Sequence, residues 1–236
     1  MDEAVATLAF GGVLVMPTDS VYGIGCAATP GNPAHERIFA IKRRDRAQTL
    51  PWLIADPSDL GRYARAVPDY VRPLVTRHWP GALTLVLRAS EAVPEEYRAA
   101  DGTIALRCPD SDLVRTLARM VGVPLATTSA NTHGEAAATS GAGVEERIVA
   151  AADLTLDAGP APLAVASTIV GCLGPRPEIL REGALAAADV LAAAADAQAP
   201  SQGPALRQSR GHAKRSPADD GPCAKLPKDI SDEQKE

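Results

Sequence analysis

The chain has 236 residues, 46% apolar and only 3% aromatic, with a formal net charge of −5. That length suits one sizeable core and a tail better than two full domains, and the apolar content excludes a disordered chain. The acidic balance argues against broad electrostatic coating of a nucleic-acid backbone, which needs many Lys and Arg against phosphates, while leaving room for a local basic groove.

Strand and helix signals alternate along the chain. Val13-Leu14-Val15-Met16, after Gly11-Gly12 and before Pro17, reads as a buried strand. Asn32 followed by Pro33 starts a helix, a capping side chain and then a fixed φ where no amide proton is needed. That helix runs through Ile38, Phe39 and Ile41 into Lys42-Arg43-Arg44. Trp52-Leu53-Ile54 is the next strand. Pro68 opens a helix toward His78, with Pro73 predicting a kink or a late start. Strands follow at Leu83 to Leu87 and Thr103 to Arg107. Asp110 or Ser111 caps a helix whose stripe is Leu113, Val114, Leu117 and Met120. Leu125 to Thr128, Leu154 to Leu156, Ser167 to Val170 and Ile179-Leu180 complete the strands, and residues 186–196 form a terminal helix. Interleaved strands and helices predict an α/β fold. The closely spaced late strands add antiparallel pairs, giving a twisted mixed sheet flanked by helices with a concave central cleft. The domain is expected over 1–196, and the polar, Pro- and Gly-rich residues 197–236 read as a disordered tail that cannot repay its ordering entropy by burial.

Cys26, Cys108, Cys172 and Cys223 form no CxxC pair and no zinc spacing; the first three are expected as small core or near-core residues in a reducing compartment. The four histidines, His35, His78, His133 and His212, have no visible partners and read as surface or incidental residues. No signal segment and no run near the ~20 apolar residues of a membrane helix is present, so the cytoplasm is the expected location and a membrane is not an expected partner.

The chemistry-bearing residues sit just after strands: Thr18-Asp19-Ser20 with Tyr22, Lys42 with Arg44, Arg107, Ser129 with Asn131, Ser167-Thr168, and Arg181. In open α/β sheets ligands bind where such loops converge. Arg, Lys and hydroxyls there suit phosphate or carboxylate. No P-loop, GxGxxG, HExxH or GxSxG pattern is present. Taken singly, each element has a plainer reading: Lys42-Arg43-Arg44 complements a helix dipole, Thr18 to Ser20 makes a turn, and Ser129-Ala130-Asn131 caps a helix. Composition and spacing alone support an enzyme or binder for a phosphorylated or carboxylated small molecule.

Taken in order, the elements resemble a known family. Pro17-Thr18-Asp19-Ser20-Val21-Tyr22-Gly23-Ile24 is similar to the PTDTVYGL signature of the YrdC-type threonylcarbamoyl-adenylate synthases. Lys42-Arg43-Arg44 resembles the family's K-x-R element, Trp79 to Thr84 its WPGPLT turn, and Ile104 to Asp110 its VxxRxPxx segment. Ser129-Ala130-Asn131 matches SAN, Ala166 to Val170 resembles STVVD, and Ile179 to Gly183 resembles ILRxG. Departures stand at Ser20 for Thr, Asp45 for Pro, Gln48-Thr49 for a polar-Pro pair, Leu53 for a His, Ala82 for Pro, His133 for Ser and Gly171 for Asp.

The resemblance implies the formation of threonylcarbamoyl-adenylate and pyrophosphate from L-threonine, bicarbonate and ATP, with Mg2+ accompanying ATP and no permanently bound cofactor. It implies that Lys42 and Arg44 are catalytic, holding phosphates and the reacting carboxylate. It places Ser20, Tyr22, Arg107 and Ser167 around threonine, and Lys42, Arg44, Gln48, Ser129, Asn131 and Arg181 around the nucleotide. Partners would be downstream tRNA threonylcarbamoyl-transferase proteins and tRNA itself. Two other readings are a non-catalytic double-stranded RNA or tRNA-binding module and a carbamoyl-adenylate enzyme with a different acceptor.

Overall fold

Residues Val13 to Met16 are all buried, yet their side chains divide: Val13 and Val15 enter one apolar core, Leu14 and Met16 another. That division is what a strand imposes, because successive side chains point to opposite faces. The computed structural model describes residues 1–195; the expected tail, with His212 and Cys223, lies outside the described residues. Among the described residues the sheet has ten strands: β1 (Leu14–Pro17), β2 (Tyr22–Ala27), β3 (Trp52–Leu53), β4 (Ala64–Arg65), β5 (Leu83–Ala89), β6 (Thr103–Arg107), β7 (Leu125–Ser129), β8 (Leu154–Thr155), β9 (Thr168–Gly171) and β10 (Glu178–Arg181).

The order is β10-β9-β5-β6-β3-β7-β2-β1-β8, with β4 on β5. The pairs β1–β8, β3–β6 and β5–β9 are parallel, and the others are antiparallel. The sheet is therefore mixed, as the sequence predicts. Helices α1 (Asp2–Ala9) and α5 (Asp112–Val121) share the smaller core with Leu14 and Met16. Helices α2 (Pro33–Lys42), α4 (Val71–His78), α6 (Glu146–Ala151) and α7 (Ala187–Ala195) contribute to the larger one, and α3 (Leu60–Tyr63) is a single short turn.

Helix boundaries follow local chemistry. Asn32 Oδ1 accepts from Ala34 N at 2.9 Å at the start of α2, where Pro33 takes the first turn. Helix α4 begins only at Val71, so Pro73 sits in its first turn, where no intrahelical donor is lost. Ser111 caps α5, and Gly122 ends it at φ 79°. Val114 and Leu117 of the α5 stripe are buried, but Met120 is 51% exposed.

Strand β2 is missing from the sequence reading because Gly23 and Gly25 interrupt its strand signal. Glycine is required there: a Cβ on Gly23 would stand 2.8 Å from Thr127 Cγ2, and one on Gly25 2.4 Å from Thr127 Oγ1. His35 corrects the surface reading of the histidines. It is buried, packed edge-on against Phe39 and tilted against Tyr97 at 4.3 Å between ring centres. His78 is half-buried and His133 exposed. Cys26, Cys108 and Cys172 are buried and free, as expected. Among the described residues no helix is long and apolar enough to cross a membrane.

Candidate functional site

The turn that leaves β1 is locked by one hydroxyl. Thr18 Oγ1 accepts from Ser20 N at 3.1 Å and donates to the Val21 carbonyl at 2.8 Å. With its proton committed there, the 3.0 Å contact between the Thr18 and Ser20 hydroxyls is donated by Ser20. The turn delivers Asp19 and Ser20 to Arg107, the last residue of β6. Arg107 is buried: Nε donates to the Gly81 carbonyl at 2.9 Å, Nη1 to Ser20 Oγ at 2.8 Å, and Nη2 to Asp19 Oδ1 at 2.6 Å. The guanidinium carries five N–H donors, so two remain for a ligand. Asp19 Oδ2 is buried with no partner among the described residues.

Around this pair opens a cleft of about 160 Å³. Ser20, Thr84, Thr128, Ser129 and Ser167 give it hydroxyls; Pro51, Leu53 and Ile169 give it an apolar wall. Ser167, just before β9, and Thr84, on the adjoining β5, share a hydrogen bond of 2.9 Å. Arg44 and Arg181 reach in from opposite sides of the chain order. Arg44 Nε donates to the Gln48 carbonyl at 3.0 Å and Nη1 to Thr128 Oγ1 at 3.2 Å. Arg181 Nη2 donates to the Ser167 carbonyl at 2.7 Å. Burial pulls the pKa of Arg44 down, with Arg181 adding to the shift, and burial followed by Arg107 does the same for Arg181. Arg181 lies close enough to repel Arg44 and to feel Arg107, and Asp19 is the carboxylate paired with Arg107. Such a cleft favours an anion of more than one charge.

The sequence candidates separate into two groups. Ser20, Tyr22, Arg44, Arg107, Ser129, Ser167 and Arg181 line the cleft, whereas Lys42, Gln48 and Asn131 do not. Lys42 is 1% exposed. Its ammonium donates to the Ser129 carbonyl at 2.5 Å, the Asn131 carbonyl at 2.6 Å and Asn131 Oδ1 at 3.3 Å. Burial, with Arg44 nearby, pushes the Lys42 pKa down to about 8. All three of its donors are engaged behind the cleft wall. The Asn131 side chain is tied down as well, Nδ2 donating to the Thr132 and Glu135 carbonyls. Gln48 is exposed and serves Arg44 through its backbone carbonyl. Tyr22 lines the cleft, but its hydroxyl is 2.7 Å from both Asp157 Oδ1 and the Gly159 carbonyl, so its proton is held away from any ligand.

Several lining residues were not among the candidates. Thr84 and Thr128 come from strands whose buried pattern hides their role, and nothing in spacing alone separates them from core threonines. Asp19 stands among the residues that follow strands, but its pairing with Arg107, 88 positions later, is tertiary. Gly183 has a legible reason in structure alone: a Cβ there would stand 2.2 Å from the Ala166 carbonyl oxygen, so glycine lets the chain after β10 pack onto the strap that carries Ser167.

A mixed α/β sheet whose strand ends gather three arginines, a buried Arg–Asp pair and a ring of hydroxyls defines a small-molecule binding protein for multiply anionic ligands. Comparison with known proteins narrows the class. The Sua5/YciO/YrdC family model, described as "Telomere recombination", matches residues 6–183, and the chain belongs to that family. The threonylcarbamoyl-AMP synthase of Bacillus subtilis is 34% identical over 184 residues, covering 78% of this chain and 53% of the relative. That of Stenotrophomonas maltophilia is 34% identical over 163 residues, covering 66% of this chain and 85% of the relative. The crystal structure of Pyrococcus abyssi Sua5 complexed with L-threonine aligns with a TM-score of 0.77 at 32% identity, over 81% of this chain and 56% of that one. Escherichia coli YciO aligns with a TM-score of 0.70 at 28% identity, over 77% of this chain and 88% of that one. The matched region thus spans about half the length of the Bacillus and Pyrococcus relatives.

Proposed function

We propose that this chain is an L-threonylcarbamoyladenylate synthase. The observation that carries the reading is the convergence of Arg44, Arg107 and Arg181 with the hydroxyls of Ser20, Ser129 and Ser167 around one cleft. Relatives at 34% identity that bear the name threonylcarbamoyl-AMP synthase support it. Arg107 takes the amino-acid carboxylate through its two free N–H groups, and Ser20 Oγ holds the guanidinium in place for it. Ser167 lies beside the amine, and Arg44, Arg181 and Ser129 take the phosphates of ATP.

The neutral amine of threonine attacks the carbon of bicarbonate, forming a carbamate and releasing water. A carbamate oxygen then bonds to the α-phosphorus of ATP while the bond to the β-phosphate oxygen breaks and pyrophosphate leaves. The residues that line the cleft include no histidine and no cysteine, and the sequence of steps requires no covalent enzyme intermediate. The work of the protein is to hold three reactants in line and to stabilise charge on the phosphates. Among the described residues no cluster of three His, Cys, Asp or Glu side chains can hold a metal ion. Mg2+ would accompany ATP as part of the substrate and would supply charge neutralisation of the leaving pyrophosphate. In the cytoplasm the unstable product passes to tRNA threonylcarbamoyl-transferase proteins.

Pyrophosphate release from ATP, Mg2+ and bicarbonate, with and without L-threonine, tests the reading. Threonine-dependent release that disappears in Arg44→Ala is expected. Release with another amine or alcohol but not threonine would assign a different acceptor; no release, with salt-sensitive tRNA binding instead, would replace the synthase with a binding module.

A further inference from the structure

The loop that follows β7 carries Ser129 into the cleft, and it is held from outside the cleft by residues the mechanism does not use. Thr132 is gripped twice by one carboxylate: its N–H donates to Glu145 Oε1 at 2.5 Å and its hydroxyl to Glu145 Oε2 at 2.6 Å. Arg147 closes the figure. Its Nε donates to Glu145 Oε2 at 2.9 Å, one terminal nitrogen donates to Thr132 Oγ1, and the other donates to the Ile41 carbonyl at 2.5 Å. Ile41 and Lys42 are the last residues of α2, and the Lys42 carbonyl in turn accepts from His133 N at 3.0 Å. The same loop is held on its inner side by the Lys42 ammonium. The end of α2, the 129–135 loop and the start of α6 are therefore bound into one unit, and Arg44 leaves that unit directly into the cleft.

We propose that Glu145 and Arg147 are positioning residues that fix the 129–135 loop against the end of α2, so that Ser129 and Arg44 meet the nucleotide in register. The proposal rests on the synthase reading for its substrate, ATP, but not for its geometry. Both side chains are about one-third exposed, 36% and 35%, so water partly compensates for the loss of either and the fold survives the substitution. The loss should fall on binding geometry. Removing Arg147 cuts the outer tie between the loop and α2, leaving only the bonds to Lys42, while removing the Thr132 hydroxyl breaks the joint between the two charged groups. Because the two substitutions cut one network, their effects should be less than additive.

The test uses the full-length protein with Arg147→Met, Thr132→Val and the double variant. Lys42 is the only lysine in residues 1–195, the others being Lys214, Lys225, Lys228 and Lys235, so 15Nζ-lysine labelling reports on the inner side of the loop without using activity. Wild type should show one protected ammonium resonance, shifted or broadened in each variant, with faster amide exchange across 129–135. The KM for ATP should rise about tenfold with kcat within about twofold, the signature of lost binding rather than lost chemistry, and Arg147→Lys should recover little, since it keeps the charge without the fork. Variants that melt lower but keep the wild-type Lys42 resonance, loop exchange and KM for ATP would overturn the proposal and leave the clasp merely structural. If wild type releases no pyrophosphate, the synthase reading fails, while the resonance and exchange data still decide whether the clasp sets the loop.

Discussion

Asp19 is the carboxylate that meets Arg107, and both side chains are buried. It and Arg107 are 5% and 6% accessible and meet at 2.6 Å. Substituting Asp19→Ala leaves a buried guanidinium without its counter-ion, and breaking a buried pair in this way costs about 3–5 kcal/mol. The lower end applies here for two reasons. Arg107 keeps its bonds to the Gly81 carbonyl and Ser20, and Asp19 Oδ2 has no partner among the described residues, so deletion also relieves a desolvated oxygen. At roughly 2–4 °C per kcal/mol for a domain this size, a loss of about 3 kcal/mol lowers Tm by about 6–12 °C. The unpaired Arg107 should then take anions from solution. Sulfate at ten times its Kd would restore about 1.4 kcal/mol to the variant and much less to wild type, where Asp19 competes. Asp19→Asn, which keeps an acceptor for Nη2 but not the charge, should fall between. Thermal melts with and without sulfate decide the matter. A variant within about 1 kcal/mol of wild type, or one stabilised by sulfate no more than wild type, would mean that Asp19 does not hold Arg107.

Other expectations follow from the same geometry. Arg44→Ala and Arg181→Ala each remove a charge-assisted contact of about 1.5–3 kcal/mol, so calorimetric titration with a non-hydrolysable ATP analogue should show affinity weaker by about 10- to 150-fold. Tyr22→Phe should cost about 1 kcal/mol in a denaturant melt and leave the KM for the amino acid unchanged, because the hydroxyl serves Asp157 and Gly159; a raised KM would return Tyr22 to the ligand. Gly183→Ala places a Cβ 2.2 Å from the Ala166 carbonyl oxygen, so it should both lower stability by about 1–3 kcal/mol and weaken amino-acid binding through Ser167. His35 has its pKa lowered chiefly by burial, with Glu36 and Glu96 raising it and Arg46 lowering it. Below pH 6.5 the unfolded chain therefore binds the proton more readily than the folded one, and stability falls as pH drops. His35→Phe, whose ring can still pack on Phe39 and Tyr97, should flatten that acid slope in urea melts at pH 5 to 7.

What could be read from the chain alone was whatever local chemistry decides. The cap at Asn32, the strand at Thr103 to Arg107 and the hydroxyls that follow strands are set by neighbours in sequence, and the structure has them where the pattern puts them. Strand β2 was hidden because its glycines answer to Thr127, a residue about a hundred positions away. Lys42 shows the limit more sharply. By itself it reads as complementing the dipole of the helix it ends, and the family resemblance implies a phosphate ligand, yet its partners are backbone carbonyls 87 and 89 positions later, and no side-chain pattern advertises a carbonyl. Charge follows the same logic. A chain of net −5 argues against an anion site only if its charges are spread evenly. Here Glu36 meets Arg46, Asp153 meets Arg37 and Glu145 meets Arg147 outside the cleft, while Arg44, Arg107 and Arg181 face inward beside Asp19. The sign of the site is thus a property of how the sheet folds its strand ends together, and it opposes the sign of the chain.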